Sequence, residues 1–187
     1  GTKNIARGEM DKIIERNGGS YNANTTQDRT YYYELLPSNK VELGLWIESE
    51  RLLHPVINQI GVDTQNEVVK EEKRLRVDNS PYGQLLEQIV QGLFVKHPYR
   101  WTTIGSMDHL DAATLEEFLE FKEKFYVPNN AVLVVAGNFD IDDIKVKVQD
   151  YFGPIPRGND VPRVNVVEDP LNGEKKRSFN DPNIQIP

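Results

Sequence analysis

The sequence contains no cysteine and only three histidines among its 187 residues. The absence of cysteine excludes disulfide bridges and thiolate metal sites. A metal ion in this chain would therefore need histidine, aspartate or glutamate as its ligands. The three histidines, His54, His97 and His109, are scattered, and each lies beside a proline or in a predicted loop. We expect them to be surface or loop residues rather than a pair of metal ligands.

Several other features are missing as well. No apolar run approaches the roughly 20 residues of a membrane-spanning helix. The net charge of −7 and the pI near 5.1 argue against a nucleic-acid-binding surface. No glycine-rich phosphate loop follows a predicted strand, so nucleotide binding has no support. The chain opens on Gly1 rather than methionine, so its compartment cannot be read from this end.

What is present is an ordinary globular composition and an alternation of helices and strands. Charged residues make up 27% and apolar residues 38% of the chain, which is long enough to bury a real core. The residue patterns predict a helix ending near Asn17, strands over residues 20–26 and 29–36, helices over 40–53, 63–77, 85–94 and 114–125, an apolar strand over 132–136, and a last helix capped by Asp140. A hairpin followed by helices favours an α+β fold, with a mostly antiparallel sheet and helices packed on one face.

Glu72 is the most informative single residue. The segment 67–75 is predicted to be helical, and on a helical wheel Glu72 lies among the apolar residues Val68, Val69 and Leu75. Burying an ionised carboxylate is costly unless it meets a cation, a hydrogen-bond donor or a metal ion. The pattern therefore predicts that Glu72 has such a partner.

A solvated helix face is the simpler interpretation of the same segment. The seven residues from Lys70 to Arg76 carry six charges, and such runs are usually exposed faces with ion pairs four residues apart. Lys73 and Arg74 are predicted to point away from the apolar stripe, and Val77 interrupts it. The wheel alone favours this interpretation, and pairing of Glu72 with an arginine stays open.

Several segments, taken in order, resemble one protein family. They are GTKN at residues 1–4, GGSYNANT at 18–25, DRTYYY at 28–33, EVVKEEKR at 67–74, PYG at 81–83, TIG at 103–105 and YVPNNAVLVVAG at 126–137. Together they resemble the pitrilysin/insulinase zinc metallopeptidases, which include mitochondrial processing peptidase and many bacterial zinc proteases. The resemblance spans residues 1–157.

The resemblance implies a zinc site that this chain supplies only in part. The family's H-x-x-E-H motif contributes two zinc-binding histidines and a glutamate that acts as the catalytic base. That motif is absent here and is expected upstream of Gly1, because in relatives it lies immediately before the matching Gly-Thr. The third ligand is a glutamate from a later helix, and carried onto this sequence it is Glu72. The resemblance thus places one metal ligand and no catalytic residue in this chain.

The resemblance also implies a peptide-binding strand. In the family, the strand that matches residues 22–25 borders the zinc and pairs with the substrate backbone, so Asn22 and Ala23 are assigned to substrate binding. As a structural element this segment is equally an exposed edge strand, which its polar alternation suits. The aromatic run 31–33 is interpreted as core and sheet face. Gln65 stands where many relatives have an assisting glutamate, so no auxiliary carboxylate is assigned.

The implied organisation is one half of a two-half zinc endopeptidase. Residues 1–158 are predicted to form an incomplete N-terminal-half peptidase domain, and residues 159–187 a linker toward a second homologous half or subunit. The intact protein is expected to hydrolyse peptides or unfolded polypeptide segments with zinc, whereas this fragment alone is expected to be inactive and to lack zinc. The bacterial cytoplasm and the periplasm or cell envelope both stay open as its compartment.

A non-catalytic role is the alternative. The family contains members that have lost zinc ligands and act as regulatory partners or scaffold subunits. If the residues before Gly1 lack the H-x-x-E-H motif, the chain belongs to such a protein. Glu72 on the apolar stripe favours the peptidase, because a scaffold has no need of an uncompensated buried carboxylate. An unrelated α+β domain is a third alternative.

Overall fold

The structure, a computed structural model, describes residues 1–184, which contain seven α-helices and one antiparallel pair of strands. The elements are α1 (Met10–Arg16), β1 (Ser20–Thr25), β2 (Thr30–Leu35), α2 (Val41–Leu53), α3 (Gln59–Lys73), α4 (Leu85–Leu93), α5 (Met107–Ala112), α6 (Leu115–Phe125) and α7 (Ile141–Phe152). A π-helical turn, Arg74–Asp78, continues α3, and short 3₁₀ turns lie at Ser38–Lys40, Pro98–Arg100 and Pro128–Asn130. The predicted α+β class is confirmed.

The chain forms two compact units. The first unit contains residues 1–25, 30–58 and 115–162, and the second contains residues 26–29, 59–114 and 163–184. The first unit therefore holds the paired strands with α1, α2, α6 and α7, and the second holds α3, α4 and α5. The predicted boundary at residue 158 concerns the intact protein and stays a prediction.

The hairpin begins where two glycines end α1. Gly18 has φ +75°, a left-handed conformation that glycine adopts without steric cost. Its N–H donates to the Glu15 carbonyl at 3.0 Å, and the Gly19 N–H donates to the Ile14 carbonyl at 3.0 Å. These bonds satisfy the last helical carbonyls, so β1 can start at Ser20. The predicted helix stop is confirmed.

The core of the first unit is a small isoleucine cluster. Ile5, Ile14 and Ile47 come from the N-terminal loop, α1 and α2, and each is at most 1% exposed. Met10 and Trp46 pack around them. Burial of three large aliphatic side chains joins segments that are far apart in the sequence.

The N-terminal loop is fixed to α2 by a buried carboxylate. The Glu50 Oε2 atom accepts from the Thr2 hydroxyl at 2.8 Å, and its Oε1 atom accepts from the Asn4 side-chain amide at 2.8 Å. The Thr2 hydroxyl oxygen also accepts from the Ile5 N–H at 3.1 Å. Burial acts to raise the pKa of Glu50, but the bonds from Asn4 and Thr2 outweigh it and hold the pKa below its usual value.

Local signals placed the later helices well. The Asp140 side chain caps α7 by accepting from the Asp142 and Asp143 N–H groups at 3.0 and 2.9 Å. Helix α6 spans Leu115–Phe125, which agrees with the predicted helix over residues 114–125. The predicted Asp140 cap is confirmed, because it depends on neighbours within one helical turn.

The predicted strand over residues 132–136 is wrong. Val132 is 90% and Val134 is 76% exposed, and β1–β2 is the complete sheet of residues 1–184. An apolar β-branched segment becomes a strand only when a neighbouring strand exchanges backbone hydrogen bonds with it. The composition of residues 132–136 therefore indicated a strand, but within residues 1–184 no neighbouring strand pairs with this segment.

Replacing Ile47 with alanine should destabilise the first unit. Ile47 is 0% exposed in the isoleucine cluster, and truncating such a residue typically lowers the free energy of unfolding by about 2–5 kcal/mol. Ile141→Ala is the matched control, because Ile141 is 63% exposed at the start of α7. Urea unfolding of both variants measures the difference, and equal losses would contradict this assignment of the core.

Candidate active site

Glu72 lies in the last turn of α3, just before the π-helical turn. Its side chain is 40% exposed, and its Oε1 atom lies 2.7 Å from the Arg76 Nη1 atom. The prediction of a buried carboxylate on a buried apolar stripe is wrong for the described chain, since Val68 is 53% and Leu75 is 64% exposed. Pairing with an arginine, which the sequence left open, is the arrangement that the structure shows.

Helix α3 buries a different face, which carries Val62 and Lys73. The Lys73 Nζ atom lies 3.2 Å from the Asp78 Oδ1 atom and 3.8 Å from the Glu87 Oε2 atom. A buried ammonium group is tolerated only with such compensation. The helical wheel placed Lys73 away from the core side because it ranks side chains by hydrophobicity and cannot foresee carboxylates from the next turn and from α4.

The two other glutamates of α3, Glu67 and Glu71, are more exposed than Glu72. Glu71 is 58% exposed and pairs with Arg74, with 3.1 Å between its Oε2 atom and the Nη1 atom. Glu67 is 68% exposed, and Gln65 is also exposed. Glu71 is thus closer to solvent than Glu72, so the two adjacent glutamates form a natural comparison.

The histidines lie in separate local environments. His54 follows the last residue of α2. The His97 Nδ1 atom accepts from the Tyr99 N–H at 3.2 Å, and the two rings are 4.4 Å apart. His109 packs edge-on against Trp101, with ring centres 5.4 Å apart. The predicted loop around His109 is wrong, because this residue lies on α5.

The described residues fit zinc as one donor only. Across residues 1–184 no group of three or more histidine, aspartate or glutamate side chains comes together to hold a metal ion. The Arg76 side chain that pairs with Glu72 is 76% exposed, and an exposed pair four residues apart on a helix is worth only about 0.3–0.5 kcal/mol. The Glu72 carboxylate can therefore exchange this partner for a metal ion, but catalytic zinc needs about three protein ligands.

The second candidate region is β1. All its residues are exposed, and Ala23 lies opposite Tyr32 in the register with β2. The Thr26 N–H donates to the Arg29 carbonyl at 2.8 Å, and hydrogen-bonded and non-hydrogen-bonded pairs alternate from there along an antiparallel ladder. The N–H and C=O groups of Ala23 therefore point away from β2. The N–H donates instead to the side-chain oxygen of Asn22 at 2.8 Å.

The tyrosine run occupies both faces of the hairpin. Tyr31 and Tyr33 stack on one face with ring centres 5.4 Å apart, and Tyr31 is 45% exposed. Tyr32 points to the opposite face and is half-buried. The interpretation as sheet face is right, whereas none of the three belongs to the fully buried core.

Sequence reasoning missed a charged cluster behind the hairpin. The Arg51 guanidinium contacts both Glu48 oxygens at 2.9 to 3.1 Å, and its Nη2 atom lies 3.7 Å from the Glu34 Oε1 atom. Its central carbon lies 4.2 Å from the centre of the Tyr32 ring. The Tyr32 and Tyr126 hydroxyls share a hydrogen bond of 2.7 Å. We name these five residues the hairpin charge cluster.

Glu34 has an unusual environment in this cluster. Its side chain is 10% exposed. Burial is the main cause that raises the pKa of Glu34 well above its usual range, and the adjacent Glu48 adds to the effect through a hydrogen bond and charge repulsion. Arg51 acts in the opposite direction but does not compensate fully. The signal in the sequence was the alternation of Glu34 with Tyr32, which places both side chains on one face of β2.

Comparison with known proteins identifies the class. The model of the insulinase family (peptidase family M16) matches residues 1–106, and the model of the peptidase M16 inactive domain matches residues 112–186. The chain therefore belongs to the insulinase family, peptidase family M16. The resemblance read from its sequence segments is confirmed.

Individual relatives agree with this assignment. The chain is 37% identical over 145 residues to the zinc protease PqqE of Helicobacter pylori, covering 78% of this chain and 32% of that protein. It is 24% identical over 159 residues to the mitochondrial-processing peptidase beta subunit of Blastocladiella emersonii, covering 85% of this chain and 34% of that protein. The chain thus spans about a third of the length of these relatives.

Solved structures share the fold. The crystal structure of a protease from Helicobacter pylori superimposes with a TM-score of 0.83 at 31% identity, covering 89% of this chain and 40% of that one. The first half of the periplasmic protease PqqL from Escherichia coli gives a TM-score of 0.75 at 22% identity, covering 89% and 36%, which supports the fold alone. No helix within residues 1–184 has both the length and the apolar character needed to cross a membrane.

Proposed function

We propose that the intact protein is a zinc-dependent endopeptidase that acts on peptides or unfolded polypeptide segments. In this proposal the present chain supplies one zinc ligand, Glu72, and one substrate-pairing strand, β1. The observation that carries it is the continuous match of residues 1–106, which include both elements, to a family whose members here are named zinc proteases.

Glu72 would hold the metal through its carboxylate after leaving Arg76. The salt bridges of Lys73 to Asp78 and Glu87 hold the backbone at the end of α3, so the movement needs only side-chain rotation. Zinc, when bound, supplies a Lewis acid that polarises the scissile carbonyl and makes water nucleophilic near neutral pH. The two remaining ligands and the catalytic base would come from an H-x-x-E-H motif, which this chain does not contain. The intact protein would also include a second homologous half.

Strand β1 would bind the substrate by strand addition. The outward N–H and C=O groups of Ala23 can donate to and accept from the backbone of an extended peptide once the Asn22 side chain releases the N–H. Such pairing reads backbone groups rather than side chains, which suits loose sequence specificity. It also requires an extended chain, which is why unfolded segments are the proposed substrate class.

A non-catalytic member of the family is the second candidate. One observation favours it: Glu72 is paired with Arg76 and partly exposed, so burial no longer demands a metal. Zinc content of the purified full-length protein decides between the candidates. About one zinc ion per chain with chelator-sensitive peptide hydrolysis supports the peptidase, whereas a metal-free, inactive protein supports the scaffold.

Glu72→Gln in the full-length protein should abolish zinc binding, because the amide keeps the shape of the side chain but loses the charge that holds a divalent cation. We expect zinc content and activity to fall by about 100-fold or more, beyond the 10- to 100-fold typical of lost outer-shell partners. Glu71→Gln is the control and should change both little. Metal analysis and peptide hydrolysis test this, and full zinc occupancy in Glu72→Gln, or equal damage from both variants, would refute the assignment.

Ala23→Pro in the full-length protein should weaken peptide binding. Proline removes the outward N–H but no N–H that pairs with β2, so the hairpin should persist. Loss of one hydrogen bond of about 0.5–1.5 kcal/mol predicts a KM increase of about two- to tenfold. Ala23→Val keeps the N–H and is the control. Unchanged KM and kcat in a folded Ala23→Pro variant would remove β1 from the substrate site.

The 187-residue chain by itself should be inactive and should bind zinc weakly or not at all, because one glutamate is a poor zinc site. Titration calorimetry with zinc and a quenched-peptide assay measure the two properties. Micromolar zinc affinity, or turnover that a chelator abolishes, would mean that the active site lies elsewhere in the chain.

A further inference from the structure

The hairpin charge cluster lies directly behind the proposed substrate strand. Glu34 is opposite Tyr21 in the register, and Tyr32 is opposite Ala23. Because paired residues of an antiparallel ladder point to the same face, the cluster side chains support the two β1 positions on either side of Asn22. A change in the cluster can therefore alter the position of the β1 edge, because the cluster side chains lie directly against the hairpin backbone.

The cluster contains two carboxylates and one cation. Glu48 and Arg51 face Glu34 from α2, and Tyr32 lies beside it on β2. Tyr126 reaches the cluster through its hydrogen bond to Tyr32. When both glutamates are ionised, the cluster has a net charge of −1, and Arg51 must serve two carboxylates in a partly buried site.

The tyrosine across the ladder belongs to a different network. Tyr21 hydrogen-bonds to Asp11 of α1, which raises the pKa of Tyr21, so its hydroxyl does not compensate Glu34. The Arg51 Nη2 atom also contacts the Met10 sulfur at 3.4 Å, a weak acceptor without charge. Among these contacts, neither β1 nor α1 supplies a second cation that could compensate the charge of Glu34.

We propose that the hairpin charge cluster positions β1 for peptide binding and makes that binding depend on the charge of Glu34. The inference rests on the proposed role of β1 as the substrate strand. With Glu34 neutral, Arg51 binds Glu48 and stacks on Tyr32, which holds β2 against α2. When Glu34 is ionised, it competes with Glu48 for Arg51. The two negative carboxylates also repel each other, which weakens the contact between β2 and α2.

The direction of the pH dependence follows from the pKa of Glu34. A carboxyl group whose pKa is raised on folding contributes stability that is complete below its unfolded value, 4.5, and that is lost as pH rises through the folded value. The β1–β2 ladder should therefore become less protected from hydrogen exchange as the pH rises from 4.5 through the raised pKa of Glu34. The KM for peptide should rise over the same range. Glu34→Gln fixes the group in a neutral form and should remove both changes.

Hydrogen exchange of the full-length protein tests the positioning role without a substrate. In the wild type we expect the protection factors of residues 20–35, corrected for the intrinsic rate, to fall by about three- to tenfold across the titration, corresponding to roughly half to one pKa unit of coupling. Glu34→Gln should give a flat profile. Glu48→Gln removes the competing carboxylate, so its transition should move to lower pH, a shift that loss of packing would not produce.

Glu42→Gln is the matched control, because Glu42 lies on the same helix but bonds to Tyr151 at 3.0 Å instead of to the cluster. It should behave as the wild type. The same pH dependence in Glu34→Gln as in the wild type would overturn the inference, as would a transition in Glu48→Gln that stays in place.

Peptide kinetics test the link to binding. KM of the wild type should rise about three- to tenfold over the range of the exchange transition, while Glu34→Gln keeps a constant KM and the same kcat profile as Glu42→Gln. A pH-dependent ladder with a pH-independent KM would overturn the link to peptide binding. If Ala23→Pro also left KM unchanged, the proposed substrate strand would fail together with that link, whereas a flat ladder with an effect of Ala23→Pro would overturn this inference alone.

Discussion

A buried or partly buried charge needs an opposite charge or hydrogen-bond donors beside it, and each unit of this chain contains a charged group that meets this requirement. In the first unit Arg51 joins α2 to β2 through Glu48, Glu34 and the Tyr32 ring. In the second, Lys73 ties the end of α3 to the π-helical turn and to α4. Removing one member of such a group leaves an uncompensated charge, so these contacts set the geometry more strictly than their net stabilisation suggests.

The same requirement decides what α3 presents to solvent. Because Lys73 points inward, Glu72 and Glu71 emerge on the outer side and take exposed arginines as partners. An exposed pair is weak, which leaves the Glu72 carboxylate available to a stronger cation. The candidate ligand thus lies on a helix end that Lys73 links to α4, and its side chain has one weak, exposed partner.

The hairpin shows how backbone alternation directs the N–H and C=O groups of Ala23 outward, to the edge where we propose that a peptide binds. Once the Thr26 N–H pairs with the Arg29 carbonyl, the direction of every later N–H along β1 follows, and that of Ala23 points outward. The inward face of β2 alternates Tyr32 with Glu34, so the support of this edge is ionic as well as apolar. The proposed peptide-binding edge and two members of the charge cluster, Tyr32 and Glu34, therefore lie in the same hairpin.

The sequence by itself determined the family, the α+β class and the local elements: the glycine stop after α1, the hairpin, and the Asp140 cap of α7. These depend on residues within a few positions of one another, where propensity and hydrogen bonding act directly. Only the tertiary structure decided that Lys73 rather than the Val68 stripe is buried, that Arg51 serves Glu34, and that residues 132–136 stay outside the sheet. Each of these depends on a partner in another element of the structure, and neither periodicity nor residue type identifies such a partner.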